Sequence, residues 1–424
     1  MNLQIQKSAI KNQKSKIKIT GSKSETNRLL LLRALYPNLI LKNTSNSDDS
    51  EVMLSALQNS QLPTSVTLSL SKCQTIDVHH AGTAMRFLTA YFAIQEGKEV
   101  VLTGSSRMKE RPIKILVEAL KQLGAEISYE ENEGFPPLKI KGKKLSQSKV
   151  SIPANVSSQY ISALLLIAPK LENGLELTLE GEITSVPYIK MTLSLLDEIG
   201  VNTAFEGNKI TVSSLPTSNS QLLTVESDWS SASYWYSIIA LSEIGTQITL
   251  SSYKKNSLQG DAALVEIYKD FGVDTVFNAD NSITIVKKKT HNSQLATRNS
   301  QLNNSPDIAQ TIAVTCFGLG IACHLTGLHT LKIKETDRLA ALKTELTKLG
   351  ATVSVTDDSL HLISSSEIKE NCSIATYQDH RMAMAFAPLA LKTAIQIEDS
   401  EVVSKSYPDF WTDLKSVGFE IKES

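Results

Sequence analysis

Only eight of the 43 basic residues in this 424-residue chain are arginines, and six of the eight fall in short stretches that run into apolar helical patterns. The stretches are GSKSETNR with Arg28, HAGTAMR with Arg86, RMKERP with Arg107 and Arg111, KETDR with Arg338, and YQDHR with Arg381. A helix start offers unpaired backbone N–H groups and the positive end of a dipole. Arginine adds a planar two-pronged donor, so each stretch is a socket for a phosphate or carboxylate. Any one of them alone reads equally as a helix cap beside a solvated cation. Six arginines placed this way imply ligands with more than one anionic group.

Two carboxylates accompany the sockets. Asp307, in NNSPDIAQT, opens an apolar helix, and Glu335 is flanked by Lys334 and Arg338. By themselves they could be a cap and an ion-pair partner. In a pocket dense with Arg and Lys, a carboxylate is held ionised as a base or kept available to shuttle a proton. Two such groups suit acid–base chemistry on an anionic substrate.

Other chemistries find no support. The chain has no GxxxxGK[ST] loop, GxGxxG turn or HExxH helix, which argues against ATP hydrolysis, nicotinamide chemistry and zinc proteolysis. Adjacent His79 and His80 are expected on opposite faces of a strand, one buried and one exposed, and not as metal ligands. Cys73, Cys316, Cys323 and Cys372 have neither C-x-x-C spacing nor zinc-spaced histidines, so no metal finger or disulfide framework is expected, and a reducing compartment fits. A net charge of -1 leaves no field for nucleic acid. The apolar runs are too short to span a bilayer, and the basic N-terminus lacks a signal-peptide core. The expectation is a cytoplasmic protein that binds neither nucleic acid nor membrane.

The elements that must position these residues repeat along the chain. An apolar-periodic helix ends in a large apolar residue and Gly, then gives a strand, a polar turn and a second strand, starting at Leu116, Leu195, Leu264 and Leu342. The glycines at 124, 200, 272 and 350, with Gly418 as a fifth, suit the left-handed position that ends a helix. A degraded copy from Met53 brings the count to six units, three on each side of a boundary near Thr224 to Asp228. The last unit stops after one strand, and either Leu3 to Ile10 or Lys16 to Thr20 could supply its partner. The tetrapeptide Asn-Ser-Gln-Leu, at 59, 219, 292 and 299, always near a predicted turn or loop, is expected to be a tolerated surface insertion.

In order along the chain, GSKSETNR, HAGTAMR, RMKERPI, VSSQY, SVPY, SPDIAQT, KETDR, YQDHRMAMA and KSYPDFW resemble the 5-enolpyruvylshikimate-3-phosphate synthases, over essentially the whole chain. The resemblance implies an α/β protein with a two-domain inside-out α/β barrel-like fold and three βαβαββ repeats per domain. With the repeat boundary, the expected domains are an N-terminal enolpyruvyl transferase domain over 21–226 and a C-terminal one made of 1–20 and 227–424. The implied reaction, in chorismate and aromatic amino acid biosynthesis, moves the enolpyruvyl group of phosphoenolpyruvate to the 5-hydroxyl of shikimate 3-phosphate and releases phosphate. No metal or organic cofactor is implied, and the expected state is a monomer.

Carried over by motif, Lys23, Ser24, Arg28, Ser157, Ser158, Gln159, Ser185, Tyr188, Asp307 and Lys334 would hold shikimate 3-phosphate. Phosphoenolpyruvate would be met by Lys23, the backbone at Gly82, Arg111, Gln159, Arg338, Arg381 and Lys405. Asp307 resembles the group that takes the proton of the attacking hydroxyl. Glu335, with Lys23, resembles the donor that protonates the methylene carbon. Because these residues split between 23–188 and 307–405, the resemblance implies a site where two domains meet, closing on substrate binding. His80, Phe87 and Thr330 depart from the family pattern, where Asn, Pro and Asn are usual, and Gly82 predicts sensitivity to glyphosate. Two rivals remain. The related transferases acting on UDP-N-acetylglucosamine normally carry a reactive loop cysteine, which has no counterpart here. A catalytically silent anion-binding protein would have no need of both Asp307 and Glu335.

Overall fold

Gly124, Gly200, Gly272, Gly350 and Gly418 end the helical segments Lys114–Gln122, Val186–Glu198, Tyr268–Phe271, Arg338–Lys348 and Phe410–Val417. Their φ values of 103°, 93°, 73°, 103° and 114° lie where a side chain would strain the backbone, so glycine is the residue that lets the chain turn into the following strand. A computed structural model describes residues 1–10, 14–61, 73–155, 157–183, 186–289, 297–364 and 367–423. It divides into two compact units, one running Ser22–Val225 and the other combining Met1–Gly21 with Glu226–Ser424. Each has its own apolar core, and the two cores share no residue.

The five four-stranded sheets among the described residues follow one plan. In the Ser22–Val225 unit, Gln74–Asp77 pairs in parallel with Glu99–Thr103, which pairs antiparallel with Leu138–Lys141, and that with Glu126–Tyr129. The helices Gly82–Ala93 and Lys114–Gln122 fill the two crossovers, giving βαβαββ. Lys149–Pro153, Leu175–Glu180, Lys209–Val212 and Thr203–Glu206 repeat it. In the third sheet Gln221–Thr224 pairs in parallel with Leu39–Lys42. Of the degraded copy expected from Met53, residues 62–72 lie outside the described residues, and Gln74–Asp77 at its end belongs to the sheet of the next repeat.

In the other unit both candidate N-terminal segments become strands, in different sheets. Leu3–Ile5 lies between Ile395–Ile397 and Ile421–Glu423, antiparallel to both, and so completes the last repeat. Lys14–Ile17 pairs in parallel with Gln247–Leu250 and starts another. The middle sheet is Thr297–Gln301, Ala322–Thr326, Leu360–Ile363 and Thr352–Val355.

The described copies of the tetrapeptide lie at the ends of elements. Gln221 and Leu222 of one copy, and Asn299 to Gln301 of another, lie in edge strands rather than loops, and residues 59–61 end the helix Asp48–Gln61. Residues 62 and 292–295 lie outside the described ones. Polar residues suit an edge strand because they discourage further pairing.

In each repeat the helix after the parallel strand is the inner one. Lys23–Leu35, Gly82–Ala93 and Ser158–Ile167 pack against one another, as do Trp229–Leu241, Ala309–Leu319 and His380–Phe386 in the other unit. These inner helices are buried on nearly every face, which explains their apolar run lengths. Among the described residues, no helix is long and apolar enough to cross a membrane.

Candidate active site

The inner helices of the Ser22–Val225 unit meet at their first turns, where most of the expected contacts lie. Lys23 opens one helix with its Nζ 3.2 Å from Asp49 Oδ2. Gly82 opens the next, which no side chain caps. Ser157 caps the third by accepting from the Gln159 amide at 3.3 Å, and Ser158 is that helix's first residue. Gln159 Nε2 donates to Thr83 Oγ1 at 3.0 Å, joining two of the starts. Ser185 lies outside the described residues.

Arg28, one turn into its helix, is buried. Nε donates to Thr192 Oγ1 at 2.8 Å, Nη1 to Ser24 O at 2.7 Å, and Nη2 to Ser162 Oγ at 2.9 Å and Tyr188 O at 3.5 Å. Its Cζ stands 5.4 Å from the Phe87 ring centre and 6.0 Å from that of Tyr188, so Phe87, a departure from the family pattern, has a packing role. Arg86 is equally buried and, like Arg28, bonds neighbouring groups, donating to Gly82 O at 3.0 Å, Pro112 O at 3.2 Å and Met108 Sδ at 3.6 Å. Among the described residues neither guanidinium forms an ion pair, and burial pushes both down to about 10. Two buried cations without carboxylate partners leave a local positive excess that an anion would offset. Arg111 lies across Gly82: a Cβ built there would be 2.5 Å from its Nη1 and 2.7 Å from its Nη2.

Two other expectations fail here. Arg107 is half-exposed and pairs with Glu110 at 2.8 Å along a single helical turn, so it is a surface charge. His79 and His80 are in a turn, His79 at φ 49°, and neither side chain is buried, because the chain reverses before the Gly82 helix instead of extending.

The other unit gathers opposite charges. Arg338, 1% exposed, gives Nε to Asp379 Oδ2 at 2.6 Å, Nη1 to Asp307 Oδ1 at 2.9 Å and Nη2 to Glu335 Oε2 at 2.7 Å. Asp307 also faces Lys334 Nζ at 3.5 Å and Arg381 Nη2 at 3.3 Å. Burial opposes ionisation of Asp307, but Arg381, Lys334 and Arg338 outweigh it and hold the carboxyl well below the usual range. Asp307 does not cap the Ala309–Leu319 helix, while Asp337 caps Arg338–Lys348, accepting from Leu339 and Ala340 amides at 3.1 Å. Lys405 bonds no carboxylate of this group; its Nζ donates to Gln378 O at 2.7 Å. Thr330 Oγ1 is buried with no partner among the described residues.

Asp379, which has no role on the sequence reading, is fully buried and also accepts from the Arg381 amide at 2.9 Å. Its helix-capping place in YQDHR was the available signal. It follows two left-handed residues, Tyr377 and Gln378, both at φ 55°. Each such residue costs about 1–2 kcal/mol, so the turn needs holding. Buried Glu345 does so by accepting from Tyr377 OH at 2.6 Å and the Ala375 amide at 3.2 Å. Tyr377→Phe should therefore lower unfolding free energy by about 1 kcal/mol, read as a lower urea midpoint at unchanged slope. An unchanged midpoint would show that the turn stands without that bond.

An EPSP synthase (3-phosphoshikimate 1-carboxyvinyltransferase) sequence profile matches residues 7–414. A 3-phosphoshikimate 1-carboxyvinyltransferase of Bacteroides fragilis (strain YCH46) is 44% identical over 413 residues, 96% of each chain. One from Shewanella pealeana is 36% identical over 435 residues, 98% of this chain and 99% of that one. By fold, the chain is similar to the EPSP synthase of Acinetobacter baumannii, with TM-score 0.77, 21% identity and full coverage of both chains.

Proposed function

The chain belongs to the EPSP synthase family, and on that premise we propose how its residues move the enolpyruvyl group of phosphoenolpyruvate to the 5-hydroxyl of shikimate 3-phosphate, releasing phosphate. Shikimate 3-phosphate is held by Lys23, Ser24, Arg28, Ser157, Ser158, Gln159, Ser185, Tyr188, Asp307 and Lys334. Phosphoenolpyruvate is met by Lys23, the Gly82 backbone, Arg111, Gln159, Arg338, Arg381 and Lys405. Asp307 accepts the proton of the attacking hydroxyl, and Glu335, with Lys23 assigned to the same step, protonates the methylene carbon. The C2 centre becomes a tetrahedral ketal phosphate. Loss of phosphate and return of the proton give the enol ether, while fixed cations stabilise the charge that develops.

The observation that carries this reading is the ionised Asp307 facing Arg338 and Arg381, with Glu335 on the same Arg338. A base and an acid are thereby tied to the cations that an anionic substrate needs. The buried Arg28, with hydroxyl and carbonyl partners, supports the assignment of a second anion-binding group.

Phosphate release tests it directly. Purified protein should release phosphate from phosphoenolpyruvate only when shikimate 3-phosphate is present, and not with UDP-N-acetylglucosamine as acceptor. Release with the nucleotide sugar would favour the related transferase, and none with either acceptor would favour a silent anion-binding protein.

A further inference from the structure

Arg381 is held by two residues. Its Nη1 donates to Asp307 O at 3.2 Å and its Nη2 lies 3.3 Å from Asp307 Oδ2. Nη2 also donates, at 3.3 Å, to Ser230 Oγ in the first turn of Trp229–Leu241. A serine hydroxyl has one proton and two lone pairs. Ser230 gives its proton to Asp261 Oδ2, so the lone pairs are what it presents to Arg381.

Asp261 has no evident structural reason to be a carboxyl. It sits in the single turn Gly260–Ala263 at 3% exposure, and its Oδ1 has no partner among the described residues. A buried acid with one oxygen unsatisfied costs stability. The charged groups facing it are Asp307, Arg381 and Asp228. Burial first, then Asp307, push its pKa up, against Arg381, to about 7.

We propose that Asp261 and Ser230 are positioning residues for this reaction: Asp261 fixes the Ser230 hydroxyl as an acceptor, and that hydroxyl fixes the Arg381 guanidinium at the angle that meets phosphoenolpyruvate. The inference rests on the assignment of Arg381 to phosphoenolpyruvate made above. Neither Asp261 nor Ser230 touches a reacting atom in it.

Steady-state kinetics of Asp261→Ala, Ser230→Ala, the double variant, Asp261→Asn and Arg381→Ala test it. Losing one charge-assisted hydrogen bond should raise KM for phosphoenolpyruvate about tenfold in either alanine variant, with KM for shikimate 3-phosphate within about twofold. Because both residues act through one hydroxyl, the double variant should be no worse than either single. Asp261→Asn still offers an amide oxygen to Ser230, so its KM should return to within about threefold of wild type. It should also melt no lower than wild type at pH 8, since it removes a buried acid that is then ionised. Additive losses, or equal losses for both substrates, would mark a packing defect and overturn the inference. If Arg381→Ala leaves KM for phosphoenolpyruvate unmoved, the assignment of Arg381 falls and this inference with it. If Arg381→Ala raises it while Asp261→Ala and Ser230→Ala do not, the inference alone falls.

Discussion

Asp307→Asn should lower kcat about 10³-fold while KM for phosphoenolpyruvate stays at or below the wild-type value. The amide keeps the carboxylate's shape but cannot take a proton from the attacking hydroxyl. It also removes one negative charge from among Lys334, Arg338 and Arg381, which leaves those cations freer to bind an anion. A partly misfolded preparation would also lower apparent kcat with KM unchanged, so an unfolding transition matching wild type is part of the test. Stopped-flow or coupled phosphate assays read kcat and KM separately, and a kcat within tenfold of wild type would remove Asp307 from the proton-transfer role.

The charge balance also predicts a pH effect. In the free protein the cations hold the Asp307 carboxyl well below the usual range, so its favourable contribution to stability is present above the ordinary carboxylate pKa and is lost only as pH falls beneath it. A carboxylate so strongly paired is a poor base. In the proposed complex, bound phosphates and carboxylates would draw on the same Lys334, Arg338 and Arg381, weakening their hold and raising the proton affinity of Asp307, the proposed base. The acid limb of kcat should therefore lie at higher pH than that of kcat/KM.

How far this was legible in the sequence depends on which physical signal each part carries. The outer helices show amphipathic periodicity closed by glycines that only a left-handed residue can replace, so Gly124 through Gly418 mark four repeats and part of a fifth. The first strand of each repeat carries no such mark. Cys372–Ile374 is three residues long, and Thr297–Gln301 is polar because it is an edge strand with one neighbour. In these two, alternation has little to show, whereas Lys149–Pro153 does alternate, with Val150 and Ile152 buried between exposed neighbours. For the site, a scarce residue type at helix starts drew attention to Arg28, Arg338 and Arg381. The same rule also picked out Arg86, bonded to neighbouring carbonyls, and Arg107, paired on the surface, because composition carries no information about what a guanidinium touches. Asp261, Ser230 and Glu345 were invisible for a different reason: each acts through a contact about thirty or more residues away, which no local pattern encodes.

Gly82→Ala is the other substitution with a large expected effect, and its sign differs between stability and function. The added methyl would meet Arg111 Nη1 at 2.5 Å, Nη2 at 2.7 Å and Cζ at 2.9 Å, all at the far end of a flexible side chain. The guanidinium can swing away, so the fold does not suffer; alanine in the first turn of Gly82–Ala93 is worth up to about 1 kcal/mol over glycine. What moves is a cation assigned to phosphoenolpyruvate, beside a backbone that needs close approach to the same ligand. KM for phosphoenolpyruvate should rise about ten- to a hundredfold, with KM for shikimate 3-phosphate nearly constant and the melting temperature equal or higher. Glyphosate, which the wild type is expected to bind at the same place, should inhibit the variant far less. Unchanged KM for phosphoenolpyruvate with a lower melting temperature would mean that the glycine serves helix packing and that Arg111 lies outside the binding site.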